Sequence, residues 1–216
     1  PSFCLGCQKE GTYLCEDCKA TLDISEFNYL LANKNSQNLA GLYFALPYKE
    51  RPLTRKLIHQ FKYQPYIKAL AKTLANLIVE HLIISGNNTD DIWQNSILIP
   101  VPLDKNKLKS RGYNQSEELA KELSKIINVP ALANNLIKIK STRPQMELSK
   151  KQREKNLTGA FAIKNCGRPV LPQFSDKKVF LVDDVYTTGS TMEECAKVLK
   201  QAGAVQVWGI AIAREE

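Results

Sequence analysis

The stretch from Val179 to Thr191 constrains this chain more than any other; it reads Val-Phe-Leu-Val-Asp-Asp-Val-Tyr-Thr-Thr-Gly-Ser-Thr. Four apolar residues in a row suit a strand covered on both faces, which delivers Asp183 and Asp184 to the carboxyl edge of a sheet. The small-residue turn Thr187–Thr191 leads directly into a helix, whose core stripe is Met192, Cys195, Ala196 and Leu199. Backbone N–H groups, hydroxyls and a helix N-terminus together make an anion site, and Gly189 permits a positive φ and close backbone approach. A phosphate is expected on Thr187, Thr188, Gly189, Ser190 and Thr191. Two carboxylates beside a phosphate repel it unless a sugar diol or a divalent cation intervenes. Vicinal hydroxyls donate to ionised carboxylates, and Mg²⁺ bridges carboxylate and phosphate oxygens. Successive strand residues point to opposite faces, so the two aspartates are expected to play unequal roles.

Competing readings explain less. A Walker A loop needs Gly-Lys-Ser/Thr, and no Lys follows Gly189. A phosphoacceptor aspartate does not account for the Thr-Thr-Gly-Ser-Thr turn, and simple helix capping does not account for the acidic pair.

The rest of the chain reads as alternating strands and helices. Gly41–Leu46, Ile97–Val101, Leu136–Lys140, Ala160–Ile163 and Val205–Ala211 are expected strands. Helices are expected from Arg51-Pro52, over Ile67–Ile84, and after Asn114, where Glu117 three residues on resembles a capping box. Such alternation implies βαβ units, a mostly parallel sheet, and ligand-binding loops at the strands' carboxyl ends. Between them, Pro102–Tyr113 reads as a polar, basic loop. Ser141–Thr158 reads as a long polar segment that either closes as a lid or docks as a short helix. His59 and His81 are expected as partly exposed helix residues, Cys195 as core, and Cys166 as a lone loop cysteine.

The 216 residues are about one and a half times the usual domain length of roughly 150. That suits one sizeable α/β core (39–216) with a small appendage (1–32). Cys4-x2-Cys7-x7-Cys15-x2-Cys18 supplies the appendage with two hooks of thiolates suited to tetrahedral Zn²⁺. Four sulfurs leave no open coordination position, so the site reads as structural. Lys9 and Lys19 are the candidates to offset its negative charge, and two disulfides are the competing reading. No apolar run approaches the roughly 18 residues of a membrane span, and Pro1–Cys18 lacks the charged and apolar regions of a secretory signal. A cytoplasmic location is the resulting expectation.

The Val179–Thr191 segment closely resembles the signature of type I phosphoribosyltransferases, which bind 5-phosphoribosyl-1-pyrophosphate. The resemblance implies that Asp183 and Asp184 hold the ribose hydroxyls and that the Thr-Gly turn holds the 5′-phosphate. It also implies that Val101, Pro102, Leu103, Lys105 and Arg111 form the pyrophosphate loop, and that Arg143, Gln145, Arg153 and Asn156 lie on the flexible catalytic loop. Mg²⁺ would accompany the donor. The whole arrangement is similar to the ComF family of competence proteins and their GntX-like relatives. It comprises the Cys-rich start, Pro-Val-Pro-Leu, Arg-Gly-Tyr-Asn-Gln, Arg-Pro-Gln, Arg-Glu-Lys-Asn-Leu-Thr-Gly-Ala-Phe and the acidic pair. Tyr113 stands where Phe is commoner in that motif.

Two functions follow from the resemblance. One is transfer of ribose 5-phosphate to an acceptor. The other is handling of single-stranded DNA alongside DNA-uptake proteins, with the donor retained as a ligand. The formal charge of +8 suits any anionic partner and does not choose between them. Arg55, His59 and Lys62 fall on one helix face with Phe61, Tyr63 and Tyr66 near by, so Arg55, Lys62 and Tyr63 are the candidate nucleic-acid contacts.

Overall fold

A computed structural model describes residues 2–27, 29–30, 36–87, 90–140, 157–164 and 174–215. The elements in chain order are α1 (Glu16–Lys19), β1 (Tyr29–Leu30), β2 (Gly41–Pro47), α2 (Pro52–Lys62), α3 (Leu70–Ile84), α4 (Asp90–Trp93), β3 (Ser96–Pro100), α5 (Lys105–Arg111), α6 (Gln115–Ile127), β4 (Leu136–Lys138), β5 (Phe161–Ile163), β6 (Lys178–Tyr186), α7 (Ser190–Gln201) and β7 (Gln206–Arg214). Five strands form the main sheet in the order β1-β2-β7-β6-β3, with β1 antiparallel and the other four parallel.

The continuous apolar runs of the parallel strands are explained by burial on both faces. Tyr43, Ala45, Leu98, Phe180, Val182, Ile210 and Ile212 pack towards α2, α3 and α6. The alternate residues Leu42, Phe44, Ile97, Ile99, Val179, Leu181 and Ala211 pack with Met192, Cys195, Ala196 and Leu199 of α7. All four residues of the expected α7 stripe are buried, as the spacing implied.

Three expectations need correction. The segment taken as a basic loop contains a helix, α5. The Asp104 side chain accepts from the Asn106 N–H at 3.0 Å, and Gly112 closes the helix at φ 83°. Lys and Arg are good helix formers, so two caps suffice without an apolar stripe. The strands at 136–138 and 161–163 do not join the main sheet; they pair antiparallel with each other. His81 is fully buried, not partly exposed. Its ring centre lies 6.3 Å from that of Tyr43 and 6.1 Å from that of Phe44, with Nδ1 2.6 Å from the Ser25 carbonyl oxygen, and burial pushes its pKa down.

The cysteine-bearing segment docks on the first of these cores. Leu14 is buried within it, and Leu5, Tyr13, Leu22 and Ile24 pack against it. Lys19 reaches α3, with Nζ 2.8 Å from Glu80, and the Ser25 N–H donates to the Ala45 carbonyl of β2 at 2.8 Å. Among the described residues no helix is long and apolar enough to cross a membrane.

Candidate functional site

The acidic pair lies where one neighbour of β6 has already left the sheet. β6 stays paired with β7 as far as Tyr186–Arg214, but its pairing with β3 ends at Pro100–Val182. The Val101 N–H still donates to the Val182 carbonyl at 2.9 Å; then Pro102 and Leu103 carry the chain away. Asp183 and Asp184 therefore border an opening on the β3 side of the strand. A cavity of about 690 Å³ fills that opening. Val101, Pro102, Leu103 and Lys107 line it from one side, Thr187, Gly189 and Thr191 from the other, and both aspartates from its floor.

The two carboxylates have different partners. Asp184 is 3% exposed, and its Oδ1 accepts from the Val185 N–H at 2.6 Å and from Lys62 Nζ at 2.8 Å. Its Oδ2 is buried and has no hydrogen-bond partner among the described residues. Asp183 Oδ1 accepts from the Ser116 hydroxyl and from the Asp184 N–H, both at 2.9 Å. Burial and the neighbouring Asp184 charge push the Asp183 pKa up to about 7, against the downward pull of Lys62 and the hydrogen bonds.

The Arg-Gly-Tyr-Asn-Gln-Ser run at 111–116 ties the parts of the site together. The Tyr113 hydroxyl donates to the Phe61 carbonyl in the last turn of α2, a bond that a Phe in this position cannot make. Asn114 Nδ2 donates to the Val101 carbonyl at 3.0 Å, while its Oδ1 caps α6 by accepting from the Ser116 N–H at 3.1 Å. Arg111 donates to Gln115 Oε1 and lies 5.9 Å from the centre of the Tyr63 ring. One turn thus connects α2, the proline loop and Asp183.

The Thr-Gly turn has the conformation its sequence requires. Gly189 sits at φ 78° as the N-cap of α7 and, as a glycine, offers no side chain to cap the helix. A Cβ at this position would lie 2.1 Å from the Tyr186 hydroxyl. The first N–H groups of an α-helix have no acceptor within the helix, which suits this turn to an anion. Thr188 and Ser190 pair through their hydroxyls at 3.0 Å.

Other candidate residues are placed less centrally. Lys105 is exposed, and neither it nor Arg111 is among the cavity's lining residues; Lys107 is the α5 cation that is. Arg55 is exposed on α2, whereas Lys62, grouped with it from the sequence, sits on Asp184. Tyr63 is 46% exposed beside the His59 ring, with centroids 4.9 Å apart, but Phe61 is fully buried and unavailable for stacking. Arg143, Gln145, Arg153 and Asn156, and Cys166 with them, lie outside the described residues. Lys107 is one of the four cations, with Lys105, Lys109 and Arg111, that the sequence places on the basic segment after the proline loop; sequence reasoning missed Ser116 and Lys138 as residues of the cavity, and the bond from Tyr113. Burial pushes the Lys138 pKa down.

Outside the cavity lining, Cys4, Cys7, Cys15 and Cys18 bring their sulfurs within 4.8 Å of one another and can hold a metal ion. Cys15 Sγ is 3.7 Å from Cys4 Sγ and 3.6 Å from Cys7 Sγ. A tetrahedral ion with metal–sulfur bonds of about 2.3 Å needs sulfurs about 3.8 Å apart, so the group fits. Gly6 lets the chain pass close to them, since a Cβ there would lie 2.5 Å from Cys18 Sγ. Without a cation the thiols oppose one another. Burial raises the Cys4 thiol, but backbone N–H groups bring it down to about 6, while its neighbours push Cys18 up to about 12. Lys19, expected to offset the thiolates, is engaged by Glu80.

The phosphoribosyl transferase domain family matches residues 108–214, from α5 to the end of β7. Competence protein F of Haemophilus influenzae is 38% identical over 161 residues, which cover 72% of this chain and 66% of that protein. This chain belongs to the ComF family of phosphoribosyltransferase-like proteins. DNA utilization protein YhgH of Salmonella typhimurium is 31% identical over 70% of this chain and 64% of its own. Competence protein ComFC of Streptococcus pneumoniae is 28% identical over 54% and 47%. The chain spans just under two thirds of the length of the first two of these ComF-type relatives.

Proposed function

We propose that this ComF-family chain binds 5-phosphoribosyl-1-pyrophosphate and acts in the handling of single-stranded DNA during DNA uptake. The observation that carries the donor assignment is the acidic pair on the open side of β6, followed at once by a helix N-terminus behind Gly189 at positive φ. A phosphorylated pentose matches that order of groups. Its 5′-phosphate takes the N–H groups of the turn, and its diol donates to Asp183 and Asp184. The pyrophosphate extends towards Val101, Pro102 and Leu103, with Lys107 on the cavity wall and Lys105 and Arg111, outside its lining, as further cations of the same helix. Mg²⁺ supplies the charge that neutralises the pyrophosphate. Zn²⁺ in the four-cysteine group is structural, holding the N-terminal segment on the core.

The relatives' names, a competence protein and a DNA utilization protein, support the biological half of the reading. Tyr63 with His59, both lining the same cavity, offers one stacking surface, and Arg55 and the cations of α5 offer several phosphate contacts. DNA-uptake proteins are the proposed partners, and transfer to an acceptor is not required for this role.

Titration tests both halves. Donor binding in the presence of Mg²⁺ should fall at least about tenfold in Gly189→Val, which places side-chain atoms in the phosphate turn. Unchanged affinity would refute the site. Binding of an oligodeoxythymidine should weaken steeply with salt, with a log–log slope that becomes less negative in Arg55→Ala. A weak affinity that ignores salt would refute the DNA role.

A further inference from the structure

Adjacent carboxylates at one sheet edge repel each other, and a phosphorylated sugar brought against them adds further negative charge. A divalent cation is the common remedy. In this chain a side chain already stands in that place. Lys62 Nζ lies 2.8 Å from Asp184 Oδ1, with side-chain exposures of 22% and 4%. Its position is fixed from behind: Phe61 is fully buried, and the buried Tyr113 holds the Phe61 carbonyl. Burial alone would favour the neutral amine, but the Asp184 charge, with Asp183 behind it, outweighs burial and raises the Lys62 pKa. The group is therefore an ammonium. It engages one oxygen of Asp184, a residue that lines the cavity, and leaves the other, Oδ2, buried and without a partner among the described residues.

Resting on the reading of the site as a phosphoribosyl cradle, we propose that Lys62 is the resident cation of the acidic pair. It is a positioning residue: it holds Asp184 with Oδ2 presented to a ribose hydroxyl and occupies the place of a divalent ion at the carboxylates. The metal requirement is then confined to the pyrophosphate. A pentose phosphate without pyrophosphate binds equally well with or without Mg²⁺.

The test uses the zinc-loaded full chain and ribose 5-phosphate as the probe. The parent should bind it with affinities that differ by less than about threefold between metal-depleted buffer and buffer with Mg²⁺. Lys62→Met should bind at least about tenfold more weakly in metal-depleted buffer and recover to within about threefold of the parent when Mg²⁺ is added. A residue that only supports the fold gives no such rescue. Mn²⁺ titration followed by electron paramagnetic resonance gives a second readout. The unliganded parent should show no tight Mn²⁺ site beside the zinc, and Lys62→Met should gain one that a further Asp184→Asn removes. A parent that requires Mg²⁺ for ribose 5-phosphate, a tight Mn²⁺ site in the parent, or a Lys62→Met chain that behaves as the parent each overturns the role of Lys62. The first two need no variant to fold. A parent that fails to bind ribose 5-phosphate in either buffer overturns the phosphoribosyl reading itself.

Discussion

The two ends of the chain assemble negative groups in opposite ways. At the C-terminal carboxylates the protein supplies its own counter-charge. Lys62 reaches across from α2, Ser116 donates to Asp183, and backbone N–H groups donate to both. At the N-terminal thiols the donors are backbone N–H groups, from Cys15 to Cys4 Sγ at 3.4 Å and from Cys18 to Cys15 Sγ at 3.5 Å. Lys19, one of the two expected cations, is committed to Glu80, and the sulfurs face one another at metal-binding spacing. A site that must open to an exchangeable ligand needs internal compensation, because its charges persist when the ligand leaves. A site meant to be closed permanently leaves the compensation to the ion.

The sharpest way to break the comparison is metal removal. Stripping the ion, or Cys4→Ser, should unfold the segment up to about residue 25, because structural zinc binding is worth on the order of 10 kcal/mol. Amide exchange should show protection lost at Leu14 and Ile24 while β6 and β7 keep theirs. Equal loss throughout, or none, would contradict the contrast.

Removing one partner of the internal pair should cost less. Asp184→Asn leaves the Lys62 ammonium largely buried without its counter-charge, and denaturant unfolding should show about 3 kcal/mol of lost stability. No change would mean that the pair contributes only surface electrostatics.

A pH series sharpens the account of Asp183. Its folded pKa, about 7, stands above the ordinary carboxylate value, so the folded chain holds the extra proton between about pH 4 and 7. Stability from this group is complete below about pH 4 and is lost as the pH rises through about 7, by roughly 1–3 kcal/mol. Asp183→Asn should flatten that slope in the urea midpoint. Sugar-phosphate binding should strengthen over the same rise, as the carboxylate becomes a pure acceptor. The smallest effect is expected of Tyr113→Phe, which loses one hydrogen bond to the Phe61 carbonyl, about 1 kcal/mol. It should also weaken ribose 5-phosphate binding slightly, by loosening the turn that carries Lys62.

Much of this was legible in the sequence because the decisive residues are contiguous. Strand, acidic pair, turn and helix lie within Val179–Gln201, and local pattern alone predicts them. The cysteine hooks are likewise spaced on the chain as they are used. Helix α5 escaped because it has no apolar face, although Asp104 and Gly112, its caps, stood in plain view. The pairing of β4 with β5 and the reach of Lys62 to Asp184 escaped for a different reason. Both join segments distant in sequence, and no periodicity reports which distant partner a residue meets. The hydroxyl of Tyr113 read as a neutral replacement for the commoner Phe; only the position of the Phe61 carbonyl shows what it adds.

The most direct measurement is a crystal structure of the zinc-loaded chain with 5-phosphoribosyl-1-pyrophosphate and Mg²⁺. The account predicts the 5′-phosphate oxygens at hydrogen-bond distance, about 2.7–3.0 Å, from the N–H groups of Gly189, Ser190 and Thr191. It also predicts a ribose hydroxyl on Asp184 Oδ2, with Lys62 still on Oδ1. A ligand seated elsewhere, or a metal ion between the carboxylates with Lys62 displaced, would contradict it.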